Sequence, residues 1–168
     1  VEFKLTTQYK ISPPTIETYS AFRDAIPKPS AEEIHLRHIL RFYIARSLYK
    51  RGAQDVFILP QVDVNGTSIQ IDVASYAGDK YTFAICEPSS ITLETETILE
   101  TLRDLDGIEI IVVYSQFGKP GQLPEKFDEL IRNKKLILLT VVPPPFDDVY
   151  EYDIWMFETT FRNVFEQE

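Results

Sequence analysis

Cysteine is all but absent from this chain. The single thiol, Cys86, excludes an intramolecular disulfide and any zinc site built on several cysteines. Long apolar runs are missing too. The longest, 136–142, stops at Pro143-Pro144-Pro145 and falls far short of the roughly 18 residues of a membrane span. The opening residues, Val1-Glu2-Phe3-Lys4, lack the basic-then-apolar profile of a secretory signal. Internal repeats and low-complexity tracts are also lacking. These absences lead to the expectation of a soluble, cytoplasmic protein with no membrane partner.

What is present suits one globular unit. The chain has 168 residues, close to the roughly 150 of a typical domain. Hydrophobic residues make up 44%, enough for a core that needs no disulfide staples. Prolines at 13, 14, 27 and 29 break the start of the chain, so 1–29 reads as an N-terminal arm of strand and loop. Residues 30–142 carry the core pattern, and 143–168 form an acidic, aromatic extension.

Charge is unevenly spread. Seventeen Lys and Arg face 26 Asp and Glu, for a net −9 that argues against attraction of the whole molecule to nucleic acid. Seven acids and one base, Arg162, lie in 144–168, so most of the excess is terminal. Arg37, Arg41, Arg46, Lys50 and Arg51 concentrate five positive charges in one segment. A local basic surface on an acidic protein is therefore compatible with the sequence.

Periodicity gives the order of elements. Ser30-Ala31-Glu32-Glu33 forms a capping box, and a helix is expected from there to about residue 50, closed by Gly52. Its apolar stripe is Leu36, Ile39, Leu40, Tyr43 and Ile44. Strands are expected at 56–59, at 68–75 with Ile69, Ile71 and Val73 on one face, and at 81–87 after the turn at 77–80. A helix fits 93–105, with Ile98, Leu99, Leu102 and Leu105 buried. An apolar strand at 108–114, a short helix at 124–132, a strand at 136–142 and a last helix at 153–165 follow. This order, α-β-β-β-α-β-α-β, predicts an α/β fold: a mixed sheet with helices on both faces.

The hairpin around Gly78-Asp79 allows a geometric inference. If Ala77 faces Lys80, then Asp72 faces Ile85 and Glu87 faces Gln70. Side chains alternate along a strand, so Asp72 and Glu87 share a face as diagonal neighbours roughly 7 Å apart. Two such carboxylates repel unless a cation lies between them, and hard oxygen donors suit Mg²⁺ or Mn²⁺. Glu33 projects from the first helix toward the side that packs on the sheet. It is either the reciprocal partner of the capping box or a third acid of the site.

Ile71-Asp72-Val73-Ala74, a turn, and then Tyr81-Thr82-Phe83-Ala84-Ile85-Cys86-Glu87-Pro88-Ser89 resemble the core of the PD-(D/E)XK, or restriction endonuclease-like, nuclease superfamily, in particular its archaeal Holliday junction resolvase-like branch. The resemblance covers 30–114 and includes the helix-strand-strand-strand-helix-strand order. It implies that Asp72 and Glu87 bind a divalent metal, Mg²⁺ or Mn²⁺, with the backbone carbonyl of Pro88, and that Glu33 joins them. The family usually carries a lysine two residues after the second acid, where this chain has Ser89. A serine hydroxyl has no charge and too high a pKa to replace that lysine as a base. In an active site of this kind, a hydroxyl from Ser89 or Ser90 is expected to hydrogen-bond the phosphate. Arg37, Arg41 and Lys119 are the expected nucleic-acid contacts.

The remaining features have plainer readings. His35 and His38 fall away from the apolar stripe, which suggests a surface or partner-facing position. Cys86 points away from Glu87 and reads as a small buried hydrophobe. Gly118-Lys119-Pro120-Gly121 lacks the ending of a phosphate loop and reads as a surface loop. Trp155, Phe157, Phe161 and Phe165 either pack on their own core or form a homodimer or partner interface. Two functions follow. One is a divalent-metal-dependent nuclease acting on DNA or RNA, with DNA favoured. The other is a catalytically inactive nuclease-like domain that serves as a protein-interaction or structural module.

Overall fold

A computed structural model describes residues 2–6, 9–16, 19–26, 35–87, 92–115 and 123–141. The expected capping box at 30–33, the loop at 118–121 and the helix at 153–165 lie outside them. In the described residues the protein is a mixed α/β structure with two sheets. Its strands are β1 (Phe3–Thr6), β2 (Tyr9–Ile11), β3 (Asp55–Ile58), β4 (Gln61–Val64), β5 (Thr67–Gln70), β6 (Val73–Ala77), β7 (Lys80–Glu87), β8 (Ile108–Ser115) and β9 (Leu136–Val141). The helices are α1 (Tyr19–Ala25), α2 (His35–Lys50), α3 (Leu93–Leu102) and α4 (Asp128–Arg132).

The larger sheet runs β2-β3-β6-β7-β8-β9 and the smaller β1-β4-β5. Neighbours are antiparallel as far as β7; β7-β8 and β8-β9 are parallel. The change follows from the connections, since a tight turn can join only antiparallel strands whereas α3 and α4 carry the chain back for parallel pairing. Ala77 pairs with Lys80 across Gly78-Asp79, as the turn predicts. Gly78 has φ +67, the conformation that the first loop position of a type II′ hairpin demands.

Alternation along β8 divides the core. Ile111 and Val113 pack with Ile39, Leu40 and Ile44 of α2, while Ile110 and Val112 pack with Ile98, Leu99 and Leu102 of α3 and with Val62 and Ile69 of the smaller sheet. Gly52 ends α2 with φ +100, and the amide of Ala53 donates to the Leu48 carbonyl. That closure is the one expected of a glycine just beyond a helix.

Two expectations need correction. The described residues of the expected N-terminal arm form β1 and β2, edge strands of different sheets, and α1, which packs on α2 through Phe22. That packing corrects the position of His38, which is buried with its ring 5.4 Å from that of Phe22. A stripe read from one helix cannot show that a second helix covers its polar flank. Residues 68–75 are not one strand either. The chain leaves the smaller sheet after Gln70 and enters the larger at Val73, and the phase of alternation changes at that crossing. Ile71 therefore packs with Ala74 on the α3 side and Val73 on the α2 side. The hairpin β4-β5 was not foreseen. Its signal is a strong one: Asn65 and Gly66, both at positive φ, lie between alternating apolar residues.

Candidate functional site

The crossing between sheets sets Asp72. Two connections, β3 to β4 and β5 to β6, pass side by side here; the Leu59 amide donates to the Asp72 carbonyl and the Ile71 amide to the Pro60 carbonyl, both at 3.0 Å. The β6-β7 ladder stops at Val73–Ala84. One step further the Asp72 side chain takes over, with Oδ2 accepting the Cys86 amide at 2.8 Å. The crossing thus turns a ladder position into a buried carboxylate fixed to the neighbouring strand.

Glu87 ends β7, and its Oε2 accepts the amide of Thr92 at 2.9 Å. Thr92 is the N-cap of α3, its hydroxyl accepting the Thr95 amide at 3.3 Å. Glu87 therefore lies at a helix start, where exposed amides and the helix dipole favour negative charge. Two cations come from α2, one turn apart. Arg41 Nε donates to Asp72 Oδ1 at 2.7 Å, in a contact buried on both sides. Arg37 spans the two acids, with Nη1 at 3.6 Å from Asp72 Oδ2 and Nη2 at 3.4 Å from Glu87 Oε1.

These groups line a cavity of ≈ 330 Å³ together with Gln70, Glu94 and Thr95. It lies at the carboxyl end of β7, the end of parallel strands at which ligands collect in open α/β sheets. Asp72 and Glu87 thus meet in one cavity, although the diagonal pairing expected of them does not occur. Gln70, expected opposite Glu87, pairs with Gln61 in the smaller sheet. Among the described residues, no group of three or more His, Cys, Asp and Glu is placed to hold a metal ion.

Other expected site residues fare differently. Arg41, assigned to nucleic-acid contact, is buried against Asp72 rather than offered to solvent. Arg37 is partly exposed. Glu33, Pro88, Ser89, Ser90 and Lys119 lie outside the described residues. The Thr92 N-cap was not foreseen; its local signal is a threonine just before the apolar period of α3 with Glu94 and Glu96 in the first turn. The joining of Arg37 and Arg41 to the acids was not legible in the sequence, because the partners stand 31 and 50 residues apart.

Cys86 is fully buried, and burial pushes its thiol well above the ordinary range, with the Asp72 carboxylate acting in the same direction. The native thiol is therefore protonated at neutral pH and is no nucleophile. It should stay unmodified by a disulfide reagent at pH 7.5 until the protein is unfolded. Above about pH 8.5 an unfolded chain loses this proton while the folded chain keeps it, so stability should fall as pH rises. Urea titrations between pH 8 and 9.5 should show that decline in wild type and a flatter profile in Cys86→Ala. Rapid native labelling would contradict both.

No protein-family model matches the chain, and no curated protein shows significant similarity to it. Among solved structures it is similar to protein VC1899 from Vibrio cholerae, at 20% identity over 60% of this chain with a TM-score of 0.42. It is also similar to AF1548, a protein of unknown function, at 14% identity over 61% of this chain with a TM-score of 0.45. The matches span 29% and 56% of those two chains, so the likeness is to part of each. Such distant likenesses assign no family. Among the described residues no helix is long and apolar enough to cross a membrane.

Proposed function

We propose that this chain is a divalent-metal-dependent nuclease of the PD-(D/E)XK type, with a restriction endonuclease-like core, that hydrolyses phosphodiester bonds in DNA or RNA. One observation carries the reading. Asp72 at the sheet crossing and Glu87 at the end of β7 line one polar cavity, and Arg37 lies within ion-pair distance of both. The place between them already suits positive charge, and the donor set, two carboxylates, is the kind that holds Mg²⁺ or Mn²⁺. Asp72 and Glu87 offer two hard oxygen donors toward such an ion, although among the described residues no third His, Cys, Asp or Glu joins them.

Asp72 and Glu87 would hold it, with the Pro88 carbonyl that the family resemblance adds. When bound, the ion supplies polarisation of a phosphoryl oxygen and a water acidic enough to attack phosphorus. The chain's own residues do the rest. The Cys86 and Thr92 amides fix the two carboxylates, so little reorganisation is left for the moment of reaction. Arg37 offers a planar fork of donors suited to a phosphate. Ser89 supplies a hydroxyl for hydrogen bonding but no base.

A second reading, the same domain without catalysis as an interaction or structural module, is favoured by a different observation. Each of the four carboxylate oxygens already meets a protein donor, and Ser89 stands where the family has lysine. Nicking of plasmid or branched DNA in Mn²⁺ separates the two. Activity in wild type that falls at least about a thousandfold in both Asp72→Ala and Glu87→Ala supports the nuclease. Equal residual activity in all three proteins marks a contaminant, and with calorimetry showing no Mn²⁺ binding it favours the inactive module.

A further inference from the structure

The two arginines of the cavity are held very differently. Arg41 donates at 2.7 Å, and its side chain is 7% exposed. Arg37 makes its two contacts at 3.6 and 3.4 Å, and its side chain is 29% exposed. Arg41 is therefore the more tightly held of the two, and Arg37 is the one whose own side chain reaches water. Its partner Glu87 is only 3% exposed, so removing Arg37 leaves a buried carboxylate that another cation would relieve.

We propose that Arg37 is a built-in competitor for the cation position: its guanidinium bridges Asp72 and Glu87 and must swing out before a divalent ion binds there. The inference rests on the reading of the pair as a metal site and adds to it how the site is kept closed. Two guanidiniums balance the two carboxylates while Arg37 is in place, so the pair exerts little net attraction on a free cation. With Arg37 withdrawn, Arg41 alone opposes Asp72 and Glu87, and the site becomes one unit more negative. A long side chain with part of its length in water can make that movement without disturbing the core. Its departure takes the guanidinium to solvent and leaves the buried Glu87 carboxylate uncompensated until a cation replaces it.

The test is Mn²⁺ binding by calorimetry to wild type, Arg37→Gln, Arg37→Met and Arg37→Gln/Glu87→Gln, with circular dichroism confirming that each is folded. Mn²⁺ affinity at least tenfold tighter in Arg37→Gln and Arg37→Met than in wild type, and lost in the double variant, is the expected result. Equal affinity in wild type and both single variants would overturn the competitor role and leave the metal site standing. No binding to any of the four proteins would overturn the metal reading and the competitor with it. Two neutral replacements of different polarity keep the result from resting on the folding of one variant.

Discussion

Replacing Arg41 with Met should lower the free energy of unfolding by about 3 kcal/mol, measured by urea denaturation in EDTA at pH 7. The substitution leaves Asp72 buried and charged, still accepting the Cys86 amide at 2.8 Å but without its closest cation. Breaking one side of a buried pair typically costs about 3–5 kcal/mol. Arg37, 3.6 Å from the other oxygen, supplies partial compensation and places this case at the lower end. The double variant Arg41→Met/Asp72→Asn should recover a large part of the loss. Asparagine keeps an acceptor for the Cys86 amide and removes the stranded charge. Such non-additivity is what a direct pair implies. A cost under about 1 kcal/mol for Arg41→Met would mean that water reaches Asp72 and that the acid is not held as described.

Phe83→Ala should be as damaging, at about 3–5 kcal/mol, by a mechanism unrelated to charge. Phe83 lies in the middle of β7 with no exposed surface, packed among Ala74, Ile110 and Leu99. Its ring also meets that of Phe3 of β1 edge-on at 5.6 Å, one of the contacts that join the smaller sheet to the larger. Truncation opens a cavity where two sheets and α3 come together, and packed surroundings collapse only partly around such a gap. At about 2–4 °C per kcal/mol for a chain of this size, melting should fall by roughly 10 °C. Phe3→Ala, at a half-buried edge position, should cost clearly less. Equal costs would show that the contact between sheets, not the core of the larger one, dominates at this position.

Those two variants probe parts of the molecule that were unequally legible. Phe83 belongs to a segment whose strand character, turn and register follow from local rules. Gly78-Asp79 permits few hairpin geometries, and once Ala77 faces Lys80 every pair up to Val73–Ala84 is set. The burial of β8 on both faces is legible in the same way, because a continuous apolar run leaves no side for water. Arg41 belongs to a surface that no local rule describes. A basic residue beside the apolar stripe of a helix reads as solvent-facing, and so does His38. Both are buried because other parts of the chain cover those flanks. Phe22 of α1 lies over His38, and the sheet crossing brings Asp72 to Arg41.

Asp72 shows the division most clearly. From the sequence alone came the two acids, the turn at Gly78-Asp79, and the helices and strands α2, β7, α3 and β8 beside them, since hydrophobic period and turn chemistry act over a few residues. Tertiary structure decided that 68–75 splits between two sheets, that Asp72 reaches the cavity from the crossing rather than from a ladder, and that guanidiniums from α2 neutralise the pair. The physical reason is range. Backbone conformation responds to neighbours a few positions away, whereas the charge balance of a buried site depends on residues that only the packed chain brings within a few ångströms of one another.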